Sequence, residues 1–392
     1  MSKSVSIIGT RGYPSYYGGF ETAVRKLAPF FVAGGWTVTV YGRKGATKID
    51  DSSRDQRVRS VETWGLENKS LSTLTFGLTS VLHSLVAKPD VALVMNVANG
   101  FWLPLLKLRG IPTVVNVDGI EWERAKWGRL AKFVFKLGAR FTARFGSVLV
   151  SDSVEIQRRW KEEFGRESVF IPYGGDVLEP LGVVPGLEPG KYVLMVARFV
   201  PENTVAEFFS AARRIAVDHP VVIVGSAGYG GELDDTAKRL SDEFPNVTWL
   251  GHVSDDQKLM SLWQHAGAYF HGHSVGGTNP ALVQAMACGA PVVARRTVYN
   301  LEVLGLEDHL VAPESDAIER AIRDMLGNPD LRGAASSFNM NRAKEKYNWA
   351  DVCGAYERTI REAAGSDVKK TSASVESRMT SGPDTLNMNV DQ

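Results

Sequence analysis

The chain has 392 residues, and its 45 Lys and Arg residues nearly balance its 44 Asp and Glu residues. With 44% hydrophobic residues, this composition is typical of a soluble globular protein and excludes a disordered chain and a generally nucleic-acid-binding one. The length exceeds what one ordinary core accommodates and predicts two domains.

Short apolar runs separated by longer segments of helical period fill the first half of the chain. In chain order, the runs are "SVSIIG", "TVTVYG", "VALVMN", "PTVVNVD" and "SVLVSD". Continuous apolar runs between helical segments are typical of buried parallel strands. The first half is therefore predicted to form an α/β domain.

A second series of the same kind follows a turn-rich segment, and its runs are "YVLMVAR", "PVVIVG", "NVTWLG", "AYFHG" and "PVVAR". The predicted fold is α/β, with two Rossmann-like parallel-sheet domains facing each other across a cleft. The predicted boundaries are an N-terminal domain at 1–173, a linker at 174–190, a C-terminal domain at 191–343, a C-terminal helix at 344–365 and a disordered tail at 366–392.

Cysteine content and hydropathy predict the cellular compartment of the protein. Cys288 and Cys353 stand in neither a metal-ligand spacing nor a redox pair, which favours a reducing cytoplasm. No apolar run reaches the roughly 18 residues that a membrane span needs, and the start of the chain lacks an export signal. A cytoplasmic protein is the expectation.

The loops that follow strands are the predicted ligand sites, because open parallel sheets bind ligands at the carboxyl ends of their strands. After the first strand, "GTRGYPSYYGGFE" places glycines ahead of a helix, where backbone N–H groups and the helix dipole can receive a phosphate or sugar. The spacing matches neither a dinucleotide fingerprint nor a Walker sequence. A mobile surface loop is the structural alternative.

The second domain offers two further loops. Arg198, at the end of "VLMVAR", can bind a diphosphate and offset the charge that develops as it leaves, or else pair with a surface carboxylate. In "HGHSVGGTNP", glycines ahead of a helix predict backbone donors, although packing alone could also require them. His271 and His273 have no carboxylate or cysteine at a fitting spacing, so no metal site is predicted.

These motifs together resemble the family-4 retaining glycosyltransferases of the GT-B fold, over roughly residues 3–365. The motifs are "GTRGYPSYYGGFE", "VDGIEW" with "RAKWGR", "IPYGGD", "ARFVPEN" and "HGHSVGGTNP". They are similar to those of the bacterial β-1,4-rhamnosyltransferase branch. The resemblance implies transfer of L-rhamnose from dTDP-L-rhamnose, with retention and without a metal or other cofactor. The implied acceptor is a lipid-diphosphate-linked saccharide of bacterial surface polysaccharide assembly.

The resemblance also implies roles for single residues. Arg198 matches the diphosphate-binding arginine, and the backbone of Val253 matches the position that meets the nucleotide base. The implied donor-binding positions are Gly18, Gly19, Asn203, Val253, Gly276, Gly277, Thr278, Asn279 and Gln284.

Three of these positions depart from the family's pattern. Gly276 and Gln284 stand at the first and second Glu of the Glu-x7-Glu motif, and Asn203 stands where many relatives have a phosphate-binding Lys. Without that Lys, Arg198 carries more of the leaving-group stabilisation. The Gln284 amide oxygen can accept a hydrogen bond from a ribose hydroxyl, but without the charge assistance of a carboxylate.

The mechanism implied by the resemblance is front-face substitution, in which the leaving phosphate helps remove the acceptor proton and no protein nucleophile is obligatory. Asp118, at the end of "PTVVNVD", is predicted to orient the acceptor hydroxyl or stabilise oxocarbenium charge, with a turn or cap as its structural alternative. Arg198 and Asp118 are thus the catalytic candidates. The acceptor-side candidates are Glu21, Glu121 and Asp152, of which Asp152 could equally cap the next helix.

The segment "RAKWGRLAKFVFKLGARFTARF" has basic residues interleaved with apolar ones and contains no acid. It predicts a basic amphipathic helix on anionic lipid at the inner face of the plasma membrane, unless its apolar stripe joins the core. The predicted membrane residues are Arg124, Lys126, Trp127, Arg129, Lys132, Phe133 and Lys136.

Other functions remain open at this point. A UDP-sugar donor would suit the same fold, and so would a nucleotide-sugar epimerase, which needs no acceptor. A nicotinamide oxidoreductase is disfavoured because the dinucleotide fingerprint is absent. The departures at Gln284 and Asn203 also leave a non-catalytic sugar-nucleotide-binding protein as an alternative.

Overall fold

The computed structural model of the chain describes residues 2–16, 18–67, 72–125, 127–228 and 230–365. Within these ranges the strands form two separate parallel sheets, each covered by helices, as the sequence predicts. Two earlier predictions lie outside the described residues: Lys126 at the membrane and the disordered tail at 366–392.

The first sheet has seven strands in the order β3-β2-β1-β4-β5-β6-β7, all paired in parallel. The strands are β1 Ser4–Ile8, β2 Thr37–Arg43, β3 Arg59–Thr63, β4 Val91–Met95, β5 Thr113–Asn116, β6 Val148–Ser151 and β7 Val169–Phe170. The five strands predicted in the first half are confirmed. β3 and β7 are additional, and both lie at the edges of the sheet, where less burial leaves a weaker apolar signal.

Helices cover both faces of this sheet. They are α1 Gly19–Ala33, α2 Ser72–Ala87, α3 Leu103–Leu108, α4 Arg129–Phe145 and α5 Val154–Phe164, joined by the C-terminal α13 Trp349–Ala363. Alternate residues of β4 enter different cores, with Leu93 among side chains from α1 and α13 and Val94 among side chains from α2 to α5. Burial on both faces explains why β4 is apolar throughout.

The second sheet has six strands in the order β10-β9-β8-β11-β12-β13. The strands are β8 Val193–Val196, β9 Val221–Val224, β10 Val247–Trp249, β11 Ala268–His271, β12 Val292–Arg295 and β13 Leu310–Val311. The helices are α6 Val205–Ile215, α7 Glu232–Glu243, α8 Asp256–Gln264, α9 Pro280–Ala287, α10 Val298–Leu304, α11 Ser315–Gly327 and α12 Pro329–Lys346. The five strands predicted here are confirmed, and the two-residue edge strand β13 is additional.

The chain crosses between the two domains twice, and the crossings touch. In the first crossing, Gly175 N donates a hydrogen bond to Tyr347 O at 2.7 Å, and Gly175 pairs with Asn348 in a parallel bridge. The rest of the segment 174–190 contains neither helix nor strand. These two crossings are the covalent connections between the domains.

The second crossing divides the predicted helix at 344–365. Residues up to Lys346 complete α12, and α13 begins only at Trp349. The Asn348 side chain accepts a hydrogen bond from Asp351 N at 2.8 Å, so it caps α13 and starts a separate helix. Trp349 and Tyr356 then pack into the core of the first domain.

Candidate functional site

Two strand ends of the first domain carry polar residues in a left-handed backbone conformation. Asn96 follows β4 with a φ of 73°, and Asp118 follows β5 with a φ of 57°. Such strain in non-glycine residues is concentrated at functional sites. Asp118 N donates a hydrogen bond to Asn116 Oδ1 at 2.8 Å, and Asn96 Nδ2 lies 3.5 Å from Asp118 Oδ2. Neighbouring strand ends therefore hold Asp118 in place.

The loop after β11 in the second domain touches the ends of β5 and β6 in the first. A Cβ placed on Gly119 would lie 2.9 Å from Gly276 Cα, and one placed on Gly277 would lie 1.9 Å from Asp152 Oδ1. Asp152 O accepts hydrogen bonds from Thr278 N at 3.3 Å and from Thr278 Oγ1. The predicted donor loop and the predicted acceptor-side Asp152 thus meet, and at Gly277 a side chain would clash with the Asp152 carboxyl group.

Asp152 has a carboxyl group enclosed at this contact. The residue is 2% exposed, and its Oδ1 has no hydrogen-bond partner among the described residues. Burial raises the pKa of Asp152 well above that of an ordinary aspartate, and the charge of Asp118 raises it further. The observed arrangement therefore favours the protonated form. The cap of α5 is Ser153, whose hydroxyl accepts from Glu155 N at 3.1 Å, so the alternative cap role of Asp152 is not realised.

Two helix N-termini face each other at the same contact. A Cβ placed on Gly19, the first residue of α1, would lie 3.1 Å from Cγ of Pro280, the first residue of α9. Gly18 precedes α1 and is exposed, and Asn279 caps α9 by accepting a hydrogen bond from Ala281 N at 2.9 Å. Each helix start carries a partial positive charge, so together they can hold an anion such as a diphosphate.

Arg198 lies after β8 with its side chain exposed. Its guanidinium makes no hydrogen bond or ion pair with any residue in the described ranges. Its charge reaches the loop after β11: burial lowers the pKa of His273 well below that of an ordinary histidine, and the charges of Arg124 and Arg198 contribute. Arg198 is therefore a cation near the interdomain contact that is free to bind an anion.

Asn203 is buried, and its amide is used inside the second domain. Its Nδ2 donates a hydrogen bond to Arg198 O at 2.8 Å, and its Oδ1 lies 2.6 Å from His273 Nδ1. It ends a 3₁₀ turn, Pro201–Asn203, that precedes α6. These contacts hold the Arg198 loop and the imidazole in place, and direct binding of a donor by Asn203 stays a prediction.

The two positions predicted to meet the nucleoside differ in their surroundings. Val253 is partly buried against the core of the second domain. Gln284 is 8% exposed, and its amide forms hydrogen bonds with both the N–H and the C=O of Asp176 in the linker, at 3.0 and 2.9 Å. These hydrogen bonds join the Gln284 amide to the linker, and its predicted ribose contact stays a prediction.

The two glutamates predicted on the acceptor side, Glu21 and Glu121, form hydrogen bonds that hold loops in place. Glu21 Oε1 accepts a hydrogen bond from Arg11 N at 3.0 Å, which holds the glycine loop after β1. Glu121 is buried, and its Oε2 accepts from Trp127 Nε1 at 2.8 Å. Its other oxygen lies 2.5 Å from Arg124 Nε. Both carboxylates thus shape the cleft through neighbouring residues.

The prediction that Arg124 contacts a membrane is wrong. Arg124 is 7% exposed, and its Nη2 lies 3.3 Å from the position of a Cβ on Gly276. The chain forms a 3₁₀ turn at Glu121–Glu123, and α4 begins only at Arg129, so Arg124 is not on the amphipathic helix. The interdomain contact and the ion pair with Glu121 place this guanidinium inside the site.

The exposed face of α4 is narrower than the sequence suggests. Phe133 and Leu130 are 61% and 77% exposed, and Arg129 is exposed beside them. Lys132 is half-buried, whereas Lys136 forms an ion pair with Glu163 at 2.7 Å. Trp127 is half-buried and packs its ring on Phe135, with centroids 5.2 Å apart. The large apolar side chains of α4 that are exposed and could meet lipid, Leu130 and Phe133, lie at the start of the helix.

Sequence reasoning missed two features of the site. Glu302 of α10 accepts hydrogen bonds from Ser153 Oγ at 2.7 Å and Val154 N at 2.8 Å, so the second domain caps a helix of the first. No local sequence pattern predicts such a contact between the domains. The loop after β9 was also missed: a Cβ on Gly225, whose φ is +134°, would lie 1.7 Å from Ala197 O, next to Arg198. The sequence pattern that could have identified this loop is the presence of glycines directly after a strand.

The part of the chain that the structure describes contains neither a membrane-spanning helix nor a cluster of metal-ligating side chains. No helix there combines the length and apolar character needed to cross a bilayer, and no group of three or more His, Cys, Asp or Glu side chains could hold a metal ion. His271 and His273, weighed above as metal ligands, have ring centroids 6.2 Å apart, and burial lowers the pKa of His271 to about 3.

Family models match both halves of the chain. The model described as a glycosyl transferase 4-like domain matches residues 18–174, and the model described as glycosyl transferases group 1 matches residues 184–342. The chain belongs to the glycosyltransferases of the GT-B type. Between the two regions that the family models match lies part of the segment that connects the first sheet to the second.

Curated relatives align with only part of this glycosyltransferase. An uncharacterised glycosyltransferase of Methanocaldococcus jannaschii is 27% identical over 141 residues, which are 35% of this chain and 36% of the relative. The O-antigen chain mannosyltransferase B of Escherichia coli is 25% identical over 166 residues, 40% of this chain and 42% of the relative. The chain thus spans less than half the length of these relatives.

Solved structures confirm the fold over most of the glycosyltransferase. Sucrose-phosphate synthase from Thermosynechococcus elongatus superimposes with a TM-score of 0.74 at 18% identity, covering 92% of this chain and 98% of that one. HepE of Anabaena, solved in complex with UDP-glucose, gives a TM-score of 0.71 at 18% identity, covering 92% and 99%. The predicted two-domain GT-B architecture is therefore confirmed.

Proposed function

We propose that this glycosyltransferase moves L-rhamnose from dTDP-L-rhamnose, with retention of configuration, onto a lipid-diphosphate-linked saccharide in bacterial surface polysaccharide assembly. One observation carries the proposal: the guanidinium of Arg198, which has no hydrogen bond or ion pair among the described residues, and the facing N-termini of α1 and α9 supply positive charge where the two domains meet. Such a site fits the diphosphate of a sugar nucleotide.

The relatives support the classes of donor and product. HepE has been solved with UDP-glucose, and the Escherichia coli relative is an O-antigen chain mannosyltransferase. The choice of rhamnose and dTDP follows from the motifs that resemble the β-1,4-rhamnosyltransferase branch. A UDP-sugar donor is the main alternative within the same fold.

The proposed chemistry uses charge stabilisation rather than a protein nucleophile. The bond from the sugar's anomeric carbon to the diphosphate breaks while the acceptor oxygen bonds to the same face of that carbon. The acceptor proton passes to the leaving phosphate. Arg198 and the two helix starts would stabilise the departing diphosphate without a metal ion, and Asp118 would orient the acceptor hydroxyl.

A donor panel tests this proposal. The protein is incubated with dTDP-L-rhamnose, UDP-glucose or GDP-mannose, with and without a lipid-diphosphate-linked saccharide, in buffer containing EDTA. We expect mass spectrometry to show an added deoxyhexose only with dTDP-L-rhamnose and acceptor together, and NMR to show the anomeric configuration of the donor. An isomerised donor without acceptor would instead indicate an epimerase, and binding without turnover would indicate a non-catalytic protein.

The same proposal places the protein at the inner face of an anionic membrane, held by the start of α4. Leu130 and Phe133 are exposed one helical turn apart, next to Arg129. We expect cosedimentation with vesicles of phosphatidylglycerol and phosphatidylcholine at low salt, and about 100-fold weaker partitioning after Leu130→Ser with Phe133→Ser, because two large apolar side chains no longer insert.

A matched control separates insertion from a general loss of surface hydrophobicity. Val217 is 76% exposed but belongs to the second domain, after α6, so Val217→Ser is expected to leave vesicle binding unchanged. Equal binding by the double variant and the unsubstituted protein would exclude α4 as the membrane contact.

A further inference from the structure

The Gln284 side chain binds one residue of the linker through both of its polar atoms. Its Oε1 accepts a hydrogen bond from Asp176 N at 3.0 Å, and its Nε2 donates one to Asp176 O at 2.9 Å. Gln284 is 8% exposed, so these contacts are largely shielded from water. The amide of Gln284 therefore fixes the linker against α9.

The same linker residue is bound from the first domain. The Asp176 carboxylate forms an ion pair with Lys26 Nζ at 2.8 Å, and Lys26 belongs to α1. Asp176 is thus joined to α1 through its side chain and to α9 through its backbone. These are the two helices whose N-termini, at Gly19 and Pro280, face each other at the proposed diphosphate site.

We propose that Lys26, Asp176 and Gln284 form a clasp that sets the distance between the N-termini of α1 and α9. In this clasp Gln284 is a positioning residue and not a ligand of the nucleotide's ribose. The effect of the clasp on diphosphate binding rests on the proposed function. The hydrogen bonds and the ion pair that form the clasp do not depend on that function. Holding both helix starts in register preserves the partial positive charges that an anion meets.

The contact with the backbone of Asp176 requires an amide group on the side chain at position 284. It presents one acceptor and two donors, so it can satisfy a backbone N–H and a backbone C=O together. A carboxylate at position 284 would keep the acceptor but would face Asp176 O without a donor, and it would add a second negative charge near the Asp176 carboxylate. The substitution Gln284→Glu therefore opposes the clasp, whereas it would favour a ribose contact.

The chain contains a matched control. Gln264 of α8 binds the linker in the same way, since its Oε1 accepts from Leu181 N at 2.8 Å and its Nε2 donates to Glu179 O at 3.1 Å. This second contact does not involve α1 or α9. Gln264→Glu thus makes the same chemical change at the linker without touching the link between the two helix starts.

The clasp is tested by titrating the full chain with dTDP and with UDP. We expect Gln284→Glu to weaken binding of the better nucleotide about tenfold, the equivalent of one net hydrogen bond. Lys26→Met should weaken it about threefold, as a partly exposed ion pair would. Because both substitutions release Asp176, the affinity of the double variant for the nucleotide should fall by less than the product of the two single fold-changes. Gln264→Glu should leave nucleotide affinity unchanged.

Tighter or unchanged nucleotide binding by Gln284→Glu would overturn the clasp, and so would fully multiplicative effects of the two substitutions. Hydrogen exchange gives a second readout without any nucleotide. The amide of Asp176 should exchange about tenfold faster in Gln284→Glu than in the unsubstituted protein or in Gln264→Glu, and equal rates would also overturn the proposal. If the unsubstituted protein binds neither nucleotide, the proposed function fails, and the exchange rates alone decide whether the clasp exists.

Discussion

Replacing Arg198 with alanine is expected to lower kcat for sugar transfer about 100- to 1,000-fold, the usual loss when one group that stabilises developing charge is removed. The exposed guanidinium makes no hydrogen bond or ion pair with another described residue, so the substitution should leave the fold unchanged. The measurement is the initial rate with saturating donor and acceptor, together with the thermal unfolding midpoint.

The control for this loss is another exposed arginine. Arg320 lies on α11 and is exposed, so Arg320→Ala changes the net charge equally without altering the cleft. Turnover by Arg198→Ala equal to that of Arg320→Ala would show that the diphosphate leaves without help from Arg198. A normal unfolding midpoint with lost turnover would support a direct role.

Gly277→Ala is expected to lower transfer about 100-fold by preventing the domains from meeting. The added Cβ would lie 1.9 Å from Asp152 Oδ1 and 2.4 Å from Asp152 Cγ, far inside van der Waals contact. Either the loop or the buried carboxyl must move, and small displacements of positioned groups are costly in rate. Small-angle scattering should show a larger radius of gyration than for the unsubstituted protein.

A compensating substitution identifies the cause. Asp152→Ala removes the carboxyl but keeps the backbone oxygen that binds Thr278, so the double variant Gly277→Ala with Asp152→Ala should recover the compact scattering profile. Gly182→Ala is the control, because a Cβ there meets nothing within 4 Å. A double variant that scatters like Gly277→Ala alone would mean that the clash with the carboxyl does not separate the domains.

The sheet architecture could be predicted because its signal is local. Every strand predicted from an apolar run is present, since burial on two faces requires apolar residues along the whole strand. The edge strands β3, β7 and β13 were missed because they are short or less buried. The helix break at Asn348 was missed because the helical period continues through a capping residue.

The general location of the site was also predictable. Carboxyl ends of parallel strands share one edge of each sheet, which is why Asp118 and Asp152 lie at the same edge of the first sheet and the loop after β11 lies at the corresponding edge of the second. The packing of the two domains then brings Asp152 against Gly277 of that loop. The same rule identified Arg198 after β8. This rule about strand ends does not predict which residue each side chain contacts across the cleft.

The sequence by itself determined the two parallel sheets, the strand-end loops that carry the site and the glycines within them, because these follow from periodicity and backbone sterics over a few residues. Only the tertiary structure decided the partners: Arg124 turned into the cleft toward Gly276, Gln284 bound to the linker at Asp176, and Glu302 capped a helix of the other domain. Each of these contacts joins residues brought near each other by the packing of whole elements, and their side chains could pair equally well with ligand, lipid or solvent until that packing was known.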